Sequence, residues 1–200
     1  MQPSEIKGHV LVLMAPTGSG KGTLVRYLKI HHPDVYVTIS CTTRAMRPGE
    51  VDGTDYHFLT PDQFDAKIAA GEFFEWAHYG QHRYGTLKTE IIPHLVNCQL
   101  VVTEIEVQGV HQLLSILPRE VMTLIYVDAG GWENLKTRAL KRATMSEDEL
   151  AARYERYLVE REAKAMADVI IDNTSEDATP AITAFESVLL ASYEKCKVAE

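Results

Sequence analysis

Cysteine is scarce in this 200-residue chain: Cys41, Cys98 and Cys196 stand far apart, with no C-x-x-C pair. That argues against a disulfide framework or a zinc site and suits a reducing compartment. Long apolar runs are missing too, so no segment reaches the roughly 20 residues that a membrane span needs. The opening stretch MQPSEIKGHV lacks the charged-then-apolar layout of an export signal. A cytoplasmic location with no membrane partner is the expectation. Positive charge is in deficit, with 20 Lys and Arg against 28 Asp and Glu and a net charge of −8. Nonspecific nucleic-acid binding rests on many Lys and Arg contacts to phosphate, so no nucleic-acid partner is expected either. The eight histidines are scattered without ligand spacing. Repeats, low-complexity tracts and linkers are absent, and the length suits one domain or a core with small inserted subdomains.

What is there begins at residues 10–26, VLVLMAPTGSGKGTLVR. An apolar run meets a glycine-rich turn, then a lysine, then a helical pattern, which is the phosphate-cradling loop in its strand–turn–helix setting. Gly18 and Gly20 permit a tight turn that aims successive N–H groups at phosphate oxygens. The helix starting near Lys21 sets its positive dipole end against the same anion. Lys21 is a mobile point charge that follows a phosphoryl group between oxygens. Nine residues form the expected nucleotide cradle: Ala15, Pro16, Thr17, Gly18, Ser19, Gly20, Lys21, Gly22 and Thr23. Two depart from the usual pattern. Ala15 stands for its first glycine, and Gly22 for the hydroxyl that usually touches Mg²⁺, with Thr23 one place later. The plain alternative is a glycine-rich turn with a surface lysine, which the flanking strand and helix make the weaker reading.

Short apolar runs alternate with helical patterns along the chain. Strands are expected at 10–14, 36–40, 100–105, 122–127 and 169–172. Helices are expected at 21–31, 107–117 and 132–143, with a last one ending near Lys195. Such alternation gives a parallel sheet covered on both faces, with ligands at the carboxyl ends of the strands. Residues 50–90 break it: short strands at 56–59, 73–78 and 83–85 surround one brief helix with Thr60 as cap, Pro61 first and Gln63 closing a capping box. Gly71 ends that helix, and Gly80-Gln81-His82 reads as a hairpin turn. Ser146 and Glu149 form a second capping box. Leu150, Tyr154, Tyr157 and Leu158 follow at helical spacing and are expected to face the core.

Residues 40–56, SCTTRAMRPGEVDGTDY, carry the next signal. Arg44 and Arg47 lie three apart on a loop marked by Pro48, Gly49 and Gly53. Two guanidinium forks with Tyr56 just beyond suit a terminal phosphate; ordinary solvated arginines are an equal alternative on this segment alone.

The pattern S-x-T-T-R-x-x-R-x-G-E, followed by G-x-D-Y-x-F, resembles the GMP-binding segment of guanylate kinases. The resemblance continues through F-x-E-W at 73–76, Y-G-T at 84–86 and Q-G-V at 108–110, and spans about residues 10–190. It implies a P-loop NTPase-type α/β fold: a parallel sheet core with helices on both faces, a small mixed α/β GMP-binding insertion and a helical lid. The core is expected at 1–39, 87–136 and 155–200, the GMP lobe at 40–86 and the lid at 137–154. By the same resemblance, Arg44, Arg47, Tyr56 and Tyr84 hold the GMP phosphate, with Gly85 beside them. Ser40, Glu75 and Thr86 read the guanine edge. Glu75 fits that task chemically, because guanine offers two neighbouring donors to one carboxylate. Glu50 is expected to orient the arginines, a surface acid being nearly as good a reading. ATP is the implied phosphoryl donor and Mg²⁺ the implied metal, near Thr23 and Glu104.

At TEIEVQGV the family pattern has aspartates where this chain has Glu104 and Glu106, acids that the resemblance places at the end of a central strand, facing the metal and the GMP. An extra methylene moves each carboxylate by more than the roughly 0.5 Å tolerance of an ordered site. Arg138 and Arg142, four apart on a helix, and Arg153 after a break resemble the family's lid arginines; an exposed solvated face is the plain alternative. With Lys21 and Arg44 they are the expected catalytic set. The expected reaction turns ATP and GMP, and by extension dGMP, into ADP and GDP, in a monomer or homodimer. The open rivals are a weakly active or specialised paralogue, a scaffold-type binding module, and a kinase for another phosphate ester.

Overall fold

A computed structural model of the chain describes residues 6–197; residues 1–5, where the export-signal reading begins, lie outside them. In chain order the elements are β1 (His9–Met14), α1 (Lys21–His31), β2 (Tyr36–Val37), β3 (Cys41–Thr42), β4 (His57–Phe58), α2 (Pro61–Ala69), β5 (Phe73–Tyr79) and β6 (His82–Leu87). Then come α3 (Ile92–Val96), β7 (Leu100–Glu104), α4 (Val107–Ile116), β8 (Met122–Asp128), α5 (Trp132–Arg142), α6 (Glu147–Glu160), β9 (Val169–Asp172) and α7 (Thr179–Lys197).

Every residue of β1 is buried, as befits the centre of a sheet covered on both faces. The sheet runs β2-β7-β1-β8-β9, all parallel, with Leu11 beside Val102 on one side and Thr123 on the other. Alternation divides β1 between two cores. Val10, Val12 and Met14 pack with Leu95 of α3 and Val110 and Leu113 of α4. Leu11 and Leu13 pack with Leu24 and Leu28 of α1 and Phe185 and Leu189 of α7. The expected strands and helices of this core are present. Among the described residues no helix is long and apolar enough to cross a membrane, and the three cysteines are free.

The strand expected at 36–40 stops at Val37. Thr38 still donates its N–H to the carbonyl of Val102 at 3.0 Å, but the next N–H, of Ile39, turns to the Glu90 carboxylate at 2.8 Å. Ser40 therefore sits in a crossing to a second sheet, ordered β4-β3-β6-β5. In that sheet β6 runs antiparallel to β3 and β5, while β4 is parallel to β3. A two-residue hairpin, with Gly80 at φ 61, joins β5 to β6. Both capping boxes form: Thr60 with Gln63, and Ser146 with Glu149. The segment expected as a lid comprises the end of α5, the turn after Arg142 and the start of α6.

Leu150, Tyr154, Tyr157 and Leu158 do not reach the core. Tyr154 is 40% exposed and the other three are half-buried. Trp132 explains the helical spacing: its ring meets Tyr154 at 5.2 Å and Tyr157 at 5.9 Å, so this apolar face packs α6 on α5.

Candidate active site

The turn from β1 to α1 opens the site. Gly18 and Gly20 have φ of 96° and 99°, left-handed values that cost L side chains about 1 kcal/mol or more. Gly20 carries a second constraint, because the Asn173 amide occupies the place of its missing Cβ. That amide donates to the Ser19 carbonyl at 2.7 Å, and the Ser19 hydroxyl donates to the Pro16 carbonyl at 2.7 Å. Lys21 Nζ donates to the Ala15 carbonyl at 2.5 Å. Thr17 is tied twice: its N–H donates to Glu160 Oε2 at 3.1 Å, and its hydroxyl meets the Tyr79 hydroxyl at 2.7 Å. Gly22 has open space where a side chain would stand, so packing does not demand the missing hydroxyl there.

Facing this turn is the arginine loop. The Glu50 carboxylate accepts both forks of Arg44, at 2.8 and 2.9 Å, and the Arg47 N–H at 2.7 Å. The Arg44 guanidinium holds the Glu50 carboxyl down at about 2, and Glu50 in turn raises Arg44. Arg44 also lies over the rings of Tyr56 and Phe58, at 5.4 and 5.6 Å, while Tyr56 and Tyr84 meet edge to face at 5.9 Å. Such contacts fix a guanidinium's direction before any ligand arrives.

Glu75 lies deeper. β5 bulges between Phe73 and Glu75, which breaks its alternation so that Phe73, Phe74 and Glu75 are all buried. A bulge re-aims a side chain in this way. The Glu75 carboxylate rests on the first turn of α4 at Gly109, where any Cβ would collide with it. That is the physical reason for a glycine in the Q-G-V motif. No cation pairs with Glu75 among the described residues, and burial pushes its carboxyl up to about 7. Glu106, which starts α4, is likewise pushed to about 7, by burial and then by Glu160, with Lys21 opposing.

These parts share one cavity of about 730 Å³, a size suited to small-molecule ligands. It brings together residues 15–23, Ser40, Arg44, Arg47, Tyr56, Glu75, Tyr84, Gly85, Glu104, Glu106, Arg142 and Arg153. Three expected residues stand off its wall. Glu50 is behind Arg44. Thr86 is fully buried across from Glu75 on the paired strand, with its hydroxyl meeting no protein partner in hydrogen-bond geometry. Arg138 is turned away and donates to the carbonyls of Asn173 and Ser175 at 2.6 and 2.9 Å. The sequence reading missed Arg26, Tyr79, Arg156 and Glu160, which do line the cavity. Arg26 was legible from its place on the loop-bearing helix, five residues after Lys21.

A parallel sheet with a phosphate-cradling turn at the carboxyl end of its central strand, and a cationic lobe opposite, defines a P-loop nucleotide-binding protein of the phosphoryl-transfer type. Comparison with known proteins narrows this. The family model described as guanylate kinase matches residues 7–190. Guanylate kinase of Synechococcus elongatus is 39% identical over 186 residues, covering 92% of this chain and 98% of that protein. Guanylate kinase of Bifidobacterium longum is 41% identical over 178 residues, covering 87% and 90%. The crystal structure of guanylate kinase from Anaplasma phagocytophilum superposes with a TM-score of 0.73 at 24% identity, over 93% of this chain and 86% of that one, which speaks for the fold. The chain belongs to the guanylate kinase family. Relatives bearing that name in several bacteria do not favour the weakly active paralogue.

Proposed function

We propose that this chain transfers the γ-phosphoryl group of ATP to GMP, and to dGMP, giving ADP with GDP or dGDP. One observation carries the proposal: a single cavity is lined both by the glycine-rich turn with Lys21 and by the buried carboxylate of Glu75, which no cation neutralises among the described residues. Arg44, Arg47, Tyr56 and Tyr84 line the same cavity, where the GMP phosphate would face the incoming phosphoryl group. Phosphoryl transfer asks for little covalent chemistry; positioning and charge stabilisation do the work. Lys21 leaves the Ala15 carbonyl for the phosphates, Arg44 holds the acceptor, and Arg142 and Arg153 supply mobile charge from the far side. Arg138 joins them only if its two carbonyl contacts break. Glu75, ionised, accepts the two guanine donors; adenine would leave that buried carboxylate partly unpaired.

Mg²⁺ fits here as an ion carried by the triphosphate. Among the described residues no group of three His, Cys, Asp or Glu could hold a metal, and Gly22 supplies no hydroxyl. The exposed Glu104 at the end of β7, with Thr23, would hold it largely through water, which Mg²⁺ retains readily. Bound there, it would neutralise charge on the phosphates. We assign the chain to the cytoplasm, as monomer or homodimer, without nucleic-acid or membrane partners.

An ADP-release assay with GMP, dGMP, AMP, UMP and CMP tests the reading. Release confined to the two guanine nucleotides is expected. Equal release with AMP would overturn it.

A further inference from the structure

Tyr79 ends β5, and three parts of the molecule meet on it. Its hydroxyl bonds the Thr17 hydroxyl in the phosphate loop at 2.7 Å. Its ring takes Tyr84 edge-on at 5.9 Å and 90°, and Tyr84 is one of the residues placed at the GMP phosphate. From α6, the Arg156 guanidinium lies 5.3 Å from the same ring. Glu160, one turn further along α6, holds the Thr17 N–H at 3.1 Å. Thr17 is thus gripped by its backbone from the C-terminal end of α6, and by its side chain from β5. The contacts run without a gap from Tyr84 through Tyr79 to the loop that would cradle ATP. Phenylalanine would keep the ring contacts, so what the hydroxyl adds is the link to Thr17.

We propose that Tyr79 is a positioning residue that couples the two nucleotide sites. GMP seated against Tyr84 holds the Tyr79 ring in place, and the Tyr79–Thr17 bond then holds the phosphate loop in its ATP-binding form. ATP thereafter has less loop to order, which is cooperativity carried by conformational entropy. The coupling is reciprocal, as linkage requires. The inference rests on the assignment of GMP to the lobe and ATP to the loop.

The test is calorimetric titration of the full chain with a non-hydrolysable ATP analogue, with and without saturating GMP, for wild type and Y79F. GMP should tighten the analogue by at least about fivefold in wild type, within the usual range of coupling, and by less than about twofold in Y79F. Amide hydrogen exchange over residues 15–23 should slow on adding GMP alone in wild type and stay unchanged in Y79F. A merely structural tyrosine would lower the melting temperature and weaken both ligands while leaving the coupling ratio intact. An unchanged ratio in Y79F overturns the inference, as does an uncoupled wild type that binds both ligands. A wild type that binds neither nucleotide overturns the functional reading instead, and this inference with it. Should Y79F not fold, T17V removes the same bond from the other side, and the same ratio decides.

Discussion

Two anion-binding loops face each other across the cavity, and they are held in opposite ways. The arginine loop is self-contained: Glu50, six residues from Arg44, takes both of its forks and the Arg47 N–H. The phosphate loop is braced from far along the chain, by Asn173 on the Ser19 carbonyl and Glu160 on the Thr17 N–H. A loop held by its own residues keeps its shape when the rest of the molecule shifts. One held by the C-terminal end of α6 and by the residue after β9 reports on both. Damage to the first should therefore stay local, whereas damage to the second should spread to stability and to ATP binding together.

The largest effect sharpens this contrast at the phosphate loop. Lys21→Ala removes the one side-chain cation that the loop itself carries, and kcat should fall by about 10²–10³-fold, the usual cost of one preorganised charge-stabilising donor. Asn173→Ala removes a buried brace without touching substrate. It leaves the Ser19 carbonyl unpaired and should cost about 1–3 kcal/mol in stability by denaturant unfolding, with KM for ATP rising and KM for GMP little moved. Equal rises in both would break the contrast.

Glu75→Gln comes next. It replaces an acceptor with an amide whose NH₂ opposes a guanine donor, and KM for GMP should rise by roughly 10- to 150-fold, the equivalent of one charge-assisted bond. The pH dependence follows from the raised carboxyls of Glu75 and Glu106, each near 7 against an ordinary 4.5. Between those values the folded chain keeps protons that the unfolded chain has released. Stability without ligand should therefore fall as pH rises from about 4.5 to 7, by up to about 1.4 kcal/mol per pH unit for each group. Lys21 and Arg156 oppose this at Glu106, while Glu160 and Glu75 reinforce it. Guanine needs the ionised Glu75, so affinity should rise from pH 6 to 8 and then level off. Titrating guanosine beside GMP removes the phosphate's own proton, which titrates near pH 6. A flat guanosine profile would show that Glu75 is not the base reader.

Glu50→Gln probes the self-contained loop. Arg44 keeps its ring contacts but loses its partner charge, so KM for GMP should rise by a factor of about three to ten, on the scale of one weakened charge-assisted contact. KM for ATP and the melting temperature should hold. A loss of ATP affinity as large as that for GMP would mean that the two loops are not independent.

How much of this was legible in the sequence follows from the same contrast. The phosphate loop, the arginine loop, both capping boxes and the buried strands are patterns within a few residues, where spacing alone fixes geometry. Glu160 and Asn173 meet the phosphate loop across 143 and 154 residues, and no local pattern marks an acid on a helix face or an Asn after a strand as its brace. Tyr79 and Arg156 were hidden for the same reason. The strand expected at 36–40 ends at Val37, and Glu90, 51 residues on, takes the Ile39 N–H as the chain crosses to the second sheet. Tyr154 and Tyr157 have helical period, but their rings meet Trp132 on α5 instead of entering the core.

The smallest effect concerns Glu106, where the sequence reading expects an aspartate. Glu106 occupies the N-cap of α4 with extended backbone (φ −83, ψ 162) and makes no capping hydrogen bond. Its longer side chain instead reaches into the cavity beside Lys21 and Glu160. Aspartate is among the best N-cap residues because its short carboxylate turns back onto the N–H groups of the first turn, and a cap of that kind contributes about 0.5–2 kcal/mol. Glu106→Asp should therefore raise the melting temperature by about 2–4 °C. It should also draw one carboxylate away from Glu160 and leave turnover equal to wild type or higher. Thermal unfolding and steady-state rates on the one variant check both parts. A tenfold loss of turnover with a raised melting temperature would show that this cavity is tuned to the longer acid.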